Sequence, residues 1–308
     1  MNRKMDFINI EGLSRNFGST EALKGIDIFI NEPGVYGFLG PNGAGKTTTF
    51  KIICALLKPT SGNVRVCGID VFNNTVEAMS RIGVQFDSPS FYPYLSGREN
   101  LQLKKLWLKG RETLSVEDMV RLSGLSSAAD RKVREYSWGM KQRLSLASAL
   151  LPDPPVLLLD EPTNGLDPAG IAYVRKLIPR LAHEEGRAIL LSSHRMEEIQ
   201  QICDRLIIIN RGEIIISGTS SQIRVMEIGV HEPEDVARAL EETGEIADIT
   251  PGKDGTLEVI APSLNPEDLR DRLAGLSVRI RSLKEKDFNL EEIFLRLTGE
   301  ETENHEQH

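Results

Sequence analysis

The chain has only three cysteines in 308 residues, Cys54, Cys67 and Cys203, and no two of them form a CxxC pair. That spacing argues against a disulfide framework or a zinc site and fits a reducing cytoplasm. Long apolar runs are also missing. The longest, Ile52 to Leu57, is far below the ~20 residues that a membrane-spanning helix needs. The opening Met1-Asn2-Arg3-Lys4-Met5-Asp6 has basic residues but no apolar stretch behind them, so no signal peptide and no direct membrane insertion are expected. There is no internal repeat and no low-complexity tract. With 40% hydrophobic and 27% charged residues, the composition is that of a soluble globular protein and excludes disorder or a collagen-like chain. The length suggests about two domains.

Charge divides the chain unevenly. The whole carries a net −8. Residues 221–308 hold 10 basic against 21 acidic side chains, a net of −11, which leaves 27 against 24, a net of +3, for the rest. The asymmetry predicts two modules, 1–220 and 221–308, and an acidic second module argues against nucleic-acid binding there.

Hydrophobic patterning indicates an α/β core. Asp6 to Ile30 reads as strands joined by turns, and Val35 to Leu39 as a short buried strand leading into a helical run from Thr48 to Leu57. Between Pro89 and Tyr136 the pattern is mostly helical, with apolar residues at helical spacing over Glu99 to Leu108 and Val116 to Leu122. Val156 to Leu159, Ala188 to Leu191 and Leu206 to Asn210 have the look of central parallel strands, with a helix over Ala169 to His183. Past residue 220 the elements are short: strands over Ile223 to Val230 and Thr256 to Ala261, and helices over Pro233 to Thr243 and Pro266 to Leu273. Glu241-Glu242 reads as an exposed helix end, and Lys24 and Arg211 as solvated turn residues.

The strongest chemical signal is Gly40-Pro41-Asn42-Gly43-Ala44-Gly45-Lys46-Thr47-Thr48, a complete GxxxxGK[ST] loop between a predicted strand and helix. Consecutive backbone N–H groups in such a loop cradle phosphate oxygens, and the dipole of the following helix adds to the attraction. The glycines permit backbone angles and close approach that side chains would block. Lys46 is expected to bridge the β- and γ-phosphates and Thr47 to ligate Mg²⁺. Downstream, Val156 to Leu159 runs directly into Asp160-Glu161, and a strand end of this kind sits at the mouth where open α/β sheets bind ligands. Asp160 is the candidate to hold Mg²⁺, and Glu161 the candidate to polarise a water attacking the γ-phosphate.

With these motifs in this order, the chain resembles the nucleotide-binding subunit of an ATP-binding cassette (ABC) transporter over about residues 6–220. Ser137-Trp138-Gly139-Met140-Lys141-Gln142-Arg143 lies where that family has its signature loop; Ser137 and Gly139 match, while Tyr136, Trp138 and Met140 depart from the usual pattern. The resemblance implies a P-loop NTPase cassette: a mostly parallel core sheet, an antiparallel β subdomain and an inserted helical subdomain over about 88–137, here followed by a small acidic α/β module. It implies ATP and Mg²⁺ as ligands, with Phe17 stacking on adenine and His194 contacting the γ-phosphate and the attacking water. Asn164-Gly165-Leu166-Asp167 resembles the loop that lines the interface between two cassettes. Asp87 occupies the position of the family's glutamine loop, where an acid can contact Mg²⁺ or its water but has no amide to donate; Gln85 then belongs to the preceding strand.

The same resemblance implies partners: a second copy, arranged head to tail so that Ser137 and Gly139 close on the ATP held by the other chain, and a separate integral-membrane permease on whose cytoplasmic face the subunit sits. Phe91-Tyr92-Pro93, Gly139 to Leu144 and the ending Asn289 to Gly299 are similar to the bacitracin-resistance and lantibiotic self-protection branch, which implies export of a drug, antibiotic peptide or similar substrate. Two alternatives stay open. A non-transport relative in translation or DNA repair would usually carry two cassettes, coiled-coil or zinc insertions, none of which is present. An importer subunit fits Asp87 and the acidic module less well.

Overall fold

The computed structural model describes residues 6–299, apart from Lys109, Ser220, Ser221, Glu242, Gly244, Glu245, Lys253, Asp254, Ser263, Leu276, Ser277 and Arg279. The sequence readings at Met1–Met5 and Glu242 lie outside the described residues.

The chain begins with a hairpin of β1 (Ile8–Phe17) and β2 (Thr20–Ile30), closed by Gly18, whose φ of 60° is the left-handed value the tight turn requires. Next comes β3 (Gly34–Leu39), buried at every residue, as a strand covered on both faces must be. A glycine-rich loop leads from it into α1 (Lys46–Ile53). The chain continues through β4 (Ser61–Val66), β5 (Ile69–Asp70), α2 (Thr75–Met79) and β6 (Ile82–Gln85). A helical segment follows: α3 (Gly97–Trp107), α4 (Val116–Leu122), a single 3₁₀ turn and α5 (Trp138–Leu150). Serines start all three helices. Ser96 and Glu99 form a reciprocal capping box on α3, and the Ser115 and Ser137 hydroxyls accept from backbone N–H groups of α4 and α5. Each such cap is worth about 1 kcal/mol.

The core then alternates strand and helix: β7 (Val156–Asp160), α6 (Pro168–His183), β8 (Ala188–Ser193), α7 (Met196–Ile202), β9 (Arg205–Asn210) and β10 (Glu213–Gly218). Two sheets result. One is antiparallel, in the order β2-β1-β4-β5; the other runs β10-β9-β3-β8-β7-β6, parallel from β9 through β6 with β10 an antiparallel edge. This is the expected architecture of a mostly parallel core, an antiparallel β layer and inserted helices. The end of β3 and the end of β7 lie on the same side of the parallel sheet, separated only by β8, so their loops converge.

The rest of the chain forms β11 (Arg224–Val230), α8 (Pro233–Glu241), β12 (Asp248–Pro251), β13 (Thr256–Ala261), α9 (Pro266–Gly275), β14 (Ile280–Lys286) and α10 (Leu290–Thr298). Its four strands make an antiparallel sheet in the order β12-β13-β11-β14. Alternation along β11 serves two cores. Met226, Ile228 and Val230 join Val236, Leu240 and Leu273 under α8 and α9, whereas Val225 belongs to the apolar cluster of the parallel sheet. Helix α10 turns back to that same cluster: Leu290, Ile293 and Phe294 are buried with Ile199 and Ile202 of α7 and Ile208 of β9, and Asn210 Nδ2 donates to the Leu297 carbonyl at 3.1 Å.

Two local expectations change. The helix expected over Thr48 to Leu57 starts at Lys46 and stops at Ile53, because Ala55 takes a φ of 55° that no helix can contain. Lys24 lies in β2 rather than in a turn and pairs with Glu213 at 2.9 Å. Arg211 does occupy the turn between β9 and β10, with a φ of 49°.

Candidate active site

The loop after β3 is shaped by its glycines. A Cβ on Gly40 would stand 2.2 Å from the Ile209 carbonyl oxygen, and Gly45, at φ 117°, would meet Leu23 and the Ala22 carbonyl; only glycine lets the loop lie this close to the sheet. Gly43, at φ 82°, lines the cleft and has open space where a side chain would be. Lys46, almost fully buried, turns its ammonium back to donate to the carbonyls of Gly40 and Pro41.

Opposite this loop stand the acids at the end of β7. Asp160 is buried; its carboxylate accepts from the Ser192 hydroxyl, and Thr47 Oγ1 lies 3.5 Å from Asp160 Oδ2. The backbone N–H of Glu161 points to Ser192, 3.2 Å from both its carbonyl and its hydroxyl oxygen, and holds Glu161 at a φ of 49°, unusual for a non-glycine residue. This turn aims the Glu161 carboxylate at the cleft, where Oε1 lies 3.0 Å from Nδ1 of His194. Burial pushes both carboxyls above their ordinary pKa values. The hydrogen bond from Ser192 opposes the shift at Asp160, and that from His194 opposes it at Glu161.

Together these groups line a cleft of about 330 Å³: Pro41, Asn42, Gly43, Gly45, Lys46, Thr47 and Thr48 on one side, and Asp87, Asp160, Glu161, Asn164 and His194 on the other. Eleven of these twelve side chains or backbone positions are among the residues selected from the sequence. Gly40 and Ala44 support the loop from behind. Asn164 is the addition, since its segment pointed to an interface and not to this cleft. Its Nδ2 donates to Asp87 Oδ1 at 2.8 Å. Ser192 is a second residue that sequence reasoning passed over, although the Ser192-Ser193 pair at the end of a buried strand signals polar groups at the mouth of the sheet.

The remaining selected residues lie outside this cleft. Phe17 ends β1, half-exposed, with the Arg15 guanidinium 4.5 Å from its ring centroid. Ser137 caps α5, and Gly139 lies beside Leu166. Asp167 caps α6, accepting from Gly170 N at 2.9 Å. Gln85 ends β6, fully buried, as expected for a strand residue. Among the described residues no group of three or more His, Cys, Asp or Glu side chains could by itself hold a metal ion, and no helix is long and apolar enough to cross a membrane.

A family model described as "ABC transporter" matches residues 23–164. An uncharacterized ABC transporter ATP-binding protein of Bacillus subtilis, YdbJ, is 38% identical over 304 residues, covering 97% of this chain and 98% of the relative. The bacitracin transport ATP-binding protein BcrA of Enterococcus faecalis is 34% identical, covering 95% of this chain and 96% of its own length. Among solved structures, the ATP-binding cassette MJ0796, in a dimeric post-hydrolysis state bound to ADP and Pi, superposes with a TM-score of 0.63 at 26% identity, covering 69% of this chain and 98% of its own. With a phosphate-loop motif and a carboxylate-bearing strand end converging on one cleft, and relatives matched along almost their whole length, the chain belongs to the ABC transporter family as an ATP-hydrolysing subunit.

Proposed function

We propose that the cleft holds Mg-ATP and that its hydrolysis drives export of a drug, antibiotic peptide or similar substrate through a separate membrane permease. The observation that carries this reading is the pairing of Glu161 with His194, directly across the cleft from the phosphate loop. Phosphoryl transfer needs positioning and charge stabilisation more than covalent help, and the chain supplies both. Backbone N–H groups of Gly43 and of Gly45 to Thr48, with the Lys46 ammonium, receive the phosphates. The Thr47 hydroxyl and Asp160 carboxylate, with Asp87 beside them, are hard oxygen donors suited to Mg²⁺. Thr47, Asp160 and Asp87 are the residues that would hold it, and a pair of carboxylates is what a Mg²⁺ bound together with substrate phosphates would ask of the protein. When bound, Mg²⁺ neutralises charge building on the phosphate oxygens. Glu161 accepts the proton of the attacking water, and burial, by raising its basicity, suits it to that task. His194 holds the Glu161 carboxylate in place and lines the cleft that would receive the γ-phosphate. Phe17, exposed at the end of β1, is the candidate adenine platform.

Two partners complete the reading. A second copy places its Ser137 and Gly139 against the nucleotide of the first, an isologous head-to-tail pair; the dimeric state of the MJ0796 cassette supports it. The permease docks on the helical segment, where Tyr92, Tyr94, Leu106 and Trp107 are all at least half-exposed and the Tyr92 and Trp107 rings meet at 6.2 Å. The chain is then a peripheral subunit at the cytoplasmic face of the membrane. Residues 1–220 form the cassette, with its helical subdomain at about 88–137, and 221–308 an accessory module anchored by α10. Export is favoured by relatives named for bacitracin transport and for daunorubicin resistance, the latter a Streptomyces coeruleorubidus protein 33% identical to this chain. Reconstitution with the permease tests the proposal: ATPase activity should rise with the permease present and vanish in Lys46→Ala, and a chain that hydrolyses no ATP alone or with the permease would refute it.

A further inference from the structure

Asn164 and Trp138 do work that the catalytic set above leaves unassigned. The indole N–H of Trp138, the first residue of α5, donates to the Asn164 carbonyl at 3.2 Å. Its ring lies over Gly165 so closely that a Cβ there would stand 2.2 Å from Trp138 Cδ1. The Asn164 side chain reaches the other way, to the Asp87 carboxylate at 2.8 Å. The Asp87 carbonyl in turn accepts from Gln142 Nε2 at 2.7 Å, and Gln142, fully buried one turn along α5 from Trp138, accepts from Gln85. The contacts close a ring: α5 to Asn164, Asn164 to Asp87, and Asp87 back to α5. A carboxylate offers acceptors only, so the residue facing Asp87 must bring a donor, and the Asn164 amide does.

We propose that Asn164, clamped by Trp138, is a positioning residue that fixes the Asp87 carboxylate at the rim of the cleft, so that α5 and the cleft rim shift as one body. A single hydrogen bond would let Asp87 pivot; attachment to two elements, one through its carboxylate and one through its carbonyl, does not. Displacement of a catalytic group by about 1 Å can cost on the order of a hundredfold in rate, so the clamp matters to turnover more than to binding. The inference rests on the reading of the cleft as the Mg-ATP site.

The test is a reciprocal exchange in the purified full-length chain, read by steady-state ATPase kinetics. Asn164→Asp sets two carboxylates against each other and should lower kcat about tenfold, with KM for ATP moving far less. Asp87→Asn restores a donor and an acceptor with their roles exchanged, so in an Asp87→Asn background, whatever turnover the lost carboxylate itself costs, Asn164→Asp should lower kcat far less than tenfold. Trp138→Phe keeps the ring over Gly165 but removes the N–H, and should lower kcat about threefold. In a Trp107→Phe background Trp138 is the sole tryptophan; its emission should shift red in Asn164→Asp and return in the exchanged pair. An Asn164 that acts independently of Asp87 would cost the same in both backgrounds. A loss from Asn164→Asp as large in the Asp87→Asn background as in the wild type would overturn the proposal. Lys46→Ala, assayed in parallel, separates this from the parent reading: wild-type turnover in that variant would remove the cleft's assignment itself, whatever the Asn164 series does.

Discussion

Glu161 and Asp160 sit next to each other in sequence and are both buried, yet their hydrogen-bond partners divide their tasks. Asp160 faces Thr47 and Ser192, Glu161 faces His194. Because burial raises the Glu161 carboxyl, it protonates at a higher pH than an ordinary carboxylate, and a protonated base cannot accept a proton. The acid limb of kcat/KM should therefore lie above the ordinary carboxylate range. His194→Ala removes the hydrogen bond that opposes the shift, so the limb should move further up while the rate falls on the order of a hundredfold; a pH–rate profile of the two proteins reads both effects. Stability carries the same sign. A carboxyl whose folded pKa exceeds its unfolded one binds its proton more tightly when folded, so its contribution falls as pH rises through the folded value and is a cost at neutral pH. Asp160→Asn relieves that cost and should raise the melting temperature of the nucleotide-free chain at pH 7, while Mg²⁺-dependent hydrolysis is lost; calorimetry and an ATPase assay check the two halves. At this scale the sequence was most legible where chemistry demands a fixed spacing, as from Gly40 to Thr48. Asn164 and Ser192 were not legible, because an amide or hydroxyl acquires a role only from the partner that the fold brings to it.

Among the elements, the buried strands were read with little error, since a run such as Val156 to Leu159 can only lie inside a sheet. The boundary of α1 was not: Lys46 belongs to the helix through its backbone, while the sequence presents it as loop. The harder element is α10. Sequence patterning treated residues 221–308 as a module apart, on the strength of its charge. Charge describes the surface of this segment, and says nothing of the apolar stripe Leu290, Ile293 and Phe294 that buries itself against α7 and β9. That contact alters what a truncation does. Removing 221–308 uncovers Ile199, Ile202 and Ile208, so the shortened chain should lose stability and aggregate instead of retaining full basal activity. Phe294→Ala in the whole protein should cost about 3 kcal/mol, the lower end for a buried aromatic, measured by denaturant unfolding. An unfolding midpoint equal to that of the wild type would mean that α10 does not hold the module down.

At the scale of the whole molecule, one sheet topology explains why a dozen residues drawn from four segments of the sequence share a cleft. The strands β3, β6, β7 and β8 run parallel and deliver their ends to one side, and the polar residues of the cleft lie at those ends or in the loops just past them. The segment bearing Ser137 caps its own helix outside that cleft, and in the proposed pairing a second copy would bring it to a nucleotide. ATP added to Glu161→Gln should therefore produce a species of twice 34.3 kDa in light scattering, and Ser137→Arg should abolish it. The central claim, that Glu161 activates water for hydrolysis of ATP held by the Lys46 loop, has its most direct test in the turnover of purified Glu161→Gln set beside its ATP binding. The account predicts ATP bound as tightly as by the wild type and turnover reduced ~10²–10⁴-fold. Turnover close to the wild-type rate, with ATP bound, would contradict it.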